Sequence, residues 1–189
     1  MEKLEKRSFV NKVNFSDRLV EGYAVLFNQE SKDLGFYETI EPNAITEEVI
    51  NKSDVFALLN HDREKVLARS NKGIGNLVLE IDERGLKYCF EALNNSLGDD
   101  IIEYLNKGMI TESSFAFTVA KEEWVNKDGT YHRTIKEIDE LFDVSPVWVG
   151  AYANTDVAVA QRSLDNFKAS EAKEDLTNYF DNLKIQYND

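Results

Sequence analysis

Along residues 18–28, RLVEGYAVLFN, the apolar positions crowd together in a Val-, Leu-, Tyr- and Phe-rich run that predicts a β-strand. The period changes in PNAITEEVINK (42–52). Proline opens this segment, and Ala44, Ile45, Val49 and Ile50 recur at helical spacing, predicting one short helix. DVFALLN (54–60) is apolar on both faces, which predicts a central strand. IGNLVLEIDERGLKYCFEAL (74–93) predicts two strands around the turn DERG. SLGDDIIEYLNKGMI (96–110) returns to the helical period, with Ser96 as cap, Ile101, Ile102 and Leu105 on one side, and Gly108 as terminator. Strand patterns resume in SSFAFTVAKEEW and YHRTIKEIDELFDVSPVWV, separated by VNKDGT. From Leu164 the chain is charged and helix-prone. Its apolar side is thin (Leu164, Phe167, Leu176, Phe180, Leu183), predicting a helical tail outside the main body. The sum is an α+β fold: an antiparallel-rich β-barrel or sheet core, two or three flanking helices and a C-terminal helical tail. The division falls into a body of residues 1–162 and a tail of 163–189.

Composition narrows the function. Apolar residues make up 42% of the 189 positions, including eleven Phe and eight Tyr, enough for a substantial core. A formal charge of -13 argues against nucleic acid as a partner, because phosphate binding needs clustered Lys and Arg. No run of about 18 apolar residues predicts a membrane span, and MEKLEKRSFV lacks the apolar stretch of a signal peptide. The single cysteine, Cys89, excludes an internal disulfide and fits a reducing cytosol. It sits in an alternating strand without a nearby histidine, which reads as structural packing and not as a nucleophile.

A hydrolytic triad needs a nucleophile, a base in reach and a group that orients the base. Histidine is the natural base, and only His61 and His132 exist. Asp128-Gly129 is the strongest turn signal in the chain. A two-residue loop there sets Lys127 against Thr130, Val119 against Ile138, Phe115 against Phe142 and Ser114 against Asp143. Ser114 and Asp143 then share one face of the sheet, and a one-residue slip would separate them. The same register puts His132 opposite Val125, eleven positions from Ser114. That is roughly 36 Å at about 3.3 Å per residue, so His132 reads as a solvated hairpin residue. His61 remains. Two readings of it stay open at this level: a base for Ser114, or a strand-end histidine held by Asp62 or a backbone carbonyl. The residues alone point to a hydrolase and no further.

Read together, the motifs resemble the prohead maturation proteases of tailed bacteriophages, a serine peptidase family related in fold to the herpesvirus assemblins. The likeness runs from about Phe9 to Ala160. EGYAVLFN is similar to the family's first strand, YETIEPNAI to its E-x-I-x-P-G-A-F, and NHDREKVLARS to its N-H-D and following L-G-R. RGLKYCFEAL resembles its G-L strand, MITESSFAF its S-F-G-F or S-I-G-F, and LFDVSPVWVGAYANTDVAV its E-V-S-x-V-x-x-P-A-Y. The resemblance implies Ser114 as nucleophile, with Ser113 as fallback, and His61 as general base. It implies Asp143 as the orienting acid, with Glu140 as the alternative. Arg69 matches the arginine of L-G-R, which implies a place near the substrate or oxyanion; a plain surface charge is the competing reading.

The resemblance further implies, without metal or cofactor, a serine endopeptidase acting in the host cytoplasm inside the assembling procapsid. Its substrates would be the major capsid protein's scaffolding segment or a separate scaffold protein, and the protease itself. Self-association is implied by the dimeric assemblins. Five positions depart from the pattern: Asn43 and Ala116 stand for Gly, Ile45 for Phe, Asp143 for Glu and Gly150 for Pro. None removes a reacting group. Two rivals remain: a catalytically silent assembly scaffold, and a hydrolase of small molecules, against which the absence of a G-x-S-x-G elbow counts.

Overall fold

The computed structural model describes residues 4–9, 13–148 and 158–187. Eleven strands form there: β1 (Glu5–Phe9), β2 (Asn14–Ser16), β3 (Leu19–Leu26), β4 (Tyr37–Ile40), β5 (Asp54–Leu58), β6 (Val66–Asn71), β7 (Ile74–Gly75), β8 (Leu77–Ile81), β9 (Gly85–Glu91), β10 (Glu112–Lys127) and β11 (Thr130–Val147). Three α-helices accompany them, α1 (Glu47–Lys52), α2 (Ser96–Asn106) and α3 (Ala158–Tyr187). One sheet has the order β1-β10-β11-β5-β6-β7, with β4 also pairing β11; the other has the order β2-β3-β9-β8. Pairing is antiparallel except where β4 and β5 lie parallel to β11. The expected α+β class holds, with open sheets and no closed barrel among the described residues.

The two sheets bury a common core. Val20, Ala24, Leu86 and Phe90 from the smaller sheet meet Val55, Phe115, Phe117, Ile138, Leu141 and Val144 from the larger. Each large apolar side chain so buried contributes roughly 1.5–3 kcal/mol. Gly22 lies against its cross-strand partner Tyr88 and, in the facing sheet, Ser113. A Cβ there would stand 2.7 Å from the Tyr88 hydroxyl and 3.1 Å from Ser113 Oγ.

The helix expected over 42–52 is split. Pro42–Ala44 makes one 3-10 turn, Ile45 is extended and buried, and Thr46 then caps α1 by accepting from the Val49 N–H. Burying Ile45 requires an extended residue there, so the helix restarts. Asn95, not Ser96, caps α2, accepting from the Gly98 N–H. The tail expected outside the body is docked at its start: Ala160 and Leu164 are fully buried against Phe36, with Leu34, Trp124 and Tyr131 around them. The 162/163 division therefore falls inside one continuous helix.

β1, β2, β4 and β6 carry no apolar signature that the sequence pattern revealed. In β1 the inward side chains are Glu5 and Arg7, both buried. They belong to a cluster in which Arg7 pairs Glu38 and Glu5, while Arg133 pairs Glu5, Glu38 and Glu122. Burial opposes the charge of Glu38, yet Arg7 and Arg133 hold its carboxyl below the ordinary range. Ser163 of α3 donates to Glu122 and accepts from Trp124 Nε1, so the cluster joins both ends of the described chain.

Candidate active site

Ser114 lies on β10 between β1 and β11, paired with Ser8 on one side and Ser145 on the other. The hairpin register expected from Asp128-Gly129 holds near the turn, where Lys127 meets Thr130 and Val125 meets His132. Further on it shifts. Lys136, Asp139 and Phe142 have no partner across, nor does Ala120 on β10, so Asp143 pairs with Ala116 instead of Ser114. Phe115 correspondingly faces Val144, not Phe142, and Phe117 faces Leu141. The net shift is even, so parity survives. Ser114, Ala116, Asp143 and Ser145 all project from one face.

His61 arrives on that face from a tight turn after β5. Asn60 (φ 55°, ψ 39°) and His61 (φ 60°) both occupy the left-handed region, where Asn and His are enriched among non-glycine residues. Buried Leu59 anchors the turn, and its N–H donates to the Lys65 carbonyl. This backbone aims the imidazole back over the sheet. Its Nδ1 lies 2.6 Å from Asp143 Oδ1 and its Nε2 lies 2.6 Å from Ser114 Oγ. With Nδ1–H donating to the carboxylate, Nε2 is left as an acceptor for the Ser114 hydroxyl. Asp62 does not hold the ring; it accepts from the Glu64 N–H and pairs Lys65. Both ring nitrogens are taken by Asp143 and Ser114, so Glu140 has no place in the chain of bonds.

Two further groups touch this chain. Ser145 Oγ donates to Asp143 Oδ1 at 2.6 Å, and the Arg7 main-chain carbonyl lies 2.8 Å from Ser114 Oγ as a second acceptor. Neither was singled out from sequence. Ser145 was readable in principle, because two positions beyond Asp143 on a strand is the same face; Arg7 was not, because β1 is sequence-remote and polar. The site is buried: Ser114 is 1% exposed and Asp143 6%. Burial from bulk solvent strengthens each of these hydrogen bonds.

The remaining candidates fall elsewhere. Ser113 points into the core and bonds the Tyr88 hydroxyl at 2.9 Å. Arg69 lies across β5 from Asp143, its guanidinium held by both carboxylate oxygens of Asp54 and stacked 4.9 Å from the Phe56 ring centroid. His132 is not simply solvated; it stacks on Tyr37 with centroids 5.6 Å apart. Burial pushes the Cys89 thiol up, away from the thiolate a nucleophile requires. Gly150 lies outside the described residues.

A hydroxyl, an imidazole and a carboxylate bonded in series on one wall of a sheet form the constellation of the serine hydrolases. The comparisons with known proteins narrow that class. The model of the caudovirus prohead serine proteases matches residues 5–170, and the chain belongs to this family. The match crosses position 162 and enters α3. The solved structure of the bacteriophage T4 capsid assembly protease, gp21, is similar in fold. It has a TM-score of 0.52 and 11% identity, covering 77% of this chain and 98% of its own. No curated protein matches.

Proposed function

We propose that the chain is a serine endopeptidase of capsid maturation in which Ser114 is the nucleophile, His61 the general base and Asp143 the group that orients it. The observation that carries this reading is the pair of 2.6 Å contacts linking the three side chains. His61 Nε2 takes the Ser114 proton as Oγ attacks a peptide carbonyl. Asp143 holds the imidazole in the required tautomer and stabilises the imidazolium. An oxyanion donor is worth about 2.7–4 kcal/mol; because the main chain of β10 beside Ser114 is paired on both sides, that donor comes from a group outside this strand. His61 then protonates the leaving amine. Water, activated by the same imidazole, releases the acyl group.

Family membership and the fold shared with a capsid assembly protease support a substrate made of capsid or scaffold protein. The reading extends to the major capsid protein's scaffolding segment, or a separate scaffold, and the protease's own chain, cut inside the procapsid in the host cytoplasm. Removing scaffold clears the interior and makes maturation irreversible. Self-association fits confinement in one shell.

Co-expression with the capsid protein of the same virus tests the proposal. Trimming by the wild type and none by Ser114→Ala or His61→Ala is expected. Equal trimming by Ser114→Ala sinks the assignment, and no trimming by either favours a silent scaffold.

A further inference from the structure

Ser114 has no free sheet edge beside it. β1 covers one side of β10 from Ser113 to Phe117, and β11 covers the other. A peptide cannot reach this serine by adding a strand to β10 and must lie across the face of the sheet. On that face, next to Asp143, is a cavity of about 360 Å³. Phe56 and Leu58 of β5, Val66 of β6 and Phe142 of β11 line it, with Asp54, Arg63 and Glu140 also at its walls. Its size is at the small end of ligand clefts, which span about 300–1,000 Å³.

The strand pairing explains the apolar lining. Phe56 pairs with Asp143 across the sheet, and Leu58 pairs with Val66, so these side chains project on the same side as the carboxylate. Phe142 is the unmatched residue of a bulge, which frees its ring from the ladder and re-aims it. Val66 is 38% exposed although apolar. Apolar groups left open beside a buried polar chain mark a binding surface more than a core. The one acid nearby on β5, Asp54, is neutralised by Arg69.

We infer that this cavity is a side-chain subsite that takes one apolar residue, aliphatic or aromatic, of an extended peptide. The inference rests on the peptidase reading and deepens it. His61 stands between Ser114 and Asp143, and the cavity opens on the Asp143 side. The residue it receives is therefore a neighbour of the one whose carbonyl is attacked. Phe142, Val66, Phe56 and Leu58 are specificity-determining residues in this scheme.

Binding can be read without cleavage. Fluorescein-labelled, glycine-rich hexapeptides carrying Leu, Phe, Ala or Lys at one varied position are titrated into the full chain bearing Ser114→Ala, by fluorescence anisotropy. At one position Leu binds at least roughly 10-fold tighter than Ala or Lys. Adding Val66→Trp, which fills the cavity, reduces that preference below about 3-fold, and Val66→Ala, which enlarges it, shifts preference toward Phe. Melting curves of each variant verify the fold. No preference at any position, a preference that survives Val66→Trp, or no binding of any peptide overturns the subsite. If preference holds but the wild type cleaves none of these peptides or its capsid protein, the peptidase reading fails while the subsite stands.

Discussion

Ser145 donates a hydrogen bond to the same Asp143 oxygen, Oδ1, that faces His61 Nδ1. One carboxylate atom thus receives two donors, and the hydroxyl fixes the carboxylate's rotation. A group acting on Asp143 in this way is a positioning residue. Ser145→Ala should lower kcat by about 10-fold, the equivalent of about 1.4 kcal/mol, with KM nearly unchanged. Asp143→Asn should cost far more, roughly 10⁴-fold, by presenting the wrong tautomer of His61. Steady-state kinetics on a trimmed capsid peptide decides it. If Ser145→Ala changes KM alone, Ser145 serves substrate and not Asp143.

The left-handed turn that delivers His61 makes its own demand. Asn60 tolerates φ 55°, and its buried Oδ1 has no hydrogen-bond partner among the described residues. Asn60→Gly removes the unsatisfied oxygen and suits the backbone, so stability should be kept or rise. Asn60→Val forces a β-branched residue into the same conformation and should cost roughly 1–2 kcal/mol, with a matching fall in activity. Urea unfolding of the two variants gives the answer. Equal stability of both would remove backbone strain from the account.

Acid should loosen the cluster behind β1. Folding holds the Glu38 carboxyl below its ordinary range, and burial, which opposes its charge, is outweighed by Arg7 and Arg133. A carboxyl depressed on folding contributes stability above its unfolded pKa, about 4.3 for glutamate. That contribution is lost as pH falls from there through the folded value. Removing one partner of such a buried network costs about 3–5 kcal/mol near neutrality, so Glu38→Gln should be destabilised at pH 7. The gap between wild type and variant should then narrow below about pH 4.3. A gap that is constant from pH 7 to pH 3 in urea titrations contradicts this.

The docked start of α3 should be part of the cooperative unit. Leu164 is fully buried against Phe36, and Trp124 lies edge-on to Phe36 at 5.0 Å. Leu164→Ala should cost about 2–5 kcal/mol and alter Trp124 fluorescence in the folded state. A purely appended helix would lose helicity by circular dichroism with the body's melting temperature unchanged.

Much of this was legible in the sequence because two signals are local. The Asp128-Gly129 turn pinned the hairpin, and the two-residue alternation of a strand carried Ser114 and Asp143 to one face. The pairing itself was two positions off, because nothing in IKEIDELFD announces that Lys136, Asp139 and Phe142 will stand unmatched. Bulges answer to the sheet around them. Helix α1 came out shorter because burial of Ile45 overrode helical periodicity. β1 was invisible for a different reason: Glu5 and Arg7 read as solvent-facing charges, and their partners Glu38 and Arg133 are far along the chain. Only tertiary pairing turns those charges inward. The meeting of His61 with Ser114 likewise lay beyond spacing, since it depends on two left-handed residues.

The buried bonds from Arg133 to Glu5 span 128 positions. A nascent chain emerging from the ribosome carries its serine before it carries the carboxylate, the hydroxyl that steadies it, or the guanidinium that clamps the first strand. The wall around Ser114 thus closes only once synthesis has passed β11. A chain halted before Asp143 carries the hydroxyl and the imidazole without the carboxylate that completes their series of hydrogen bonds.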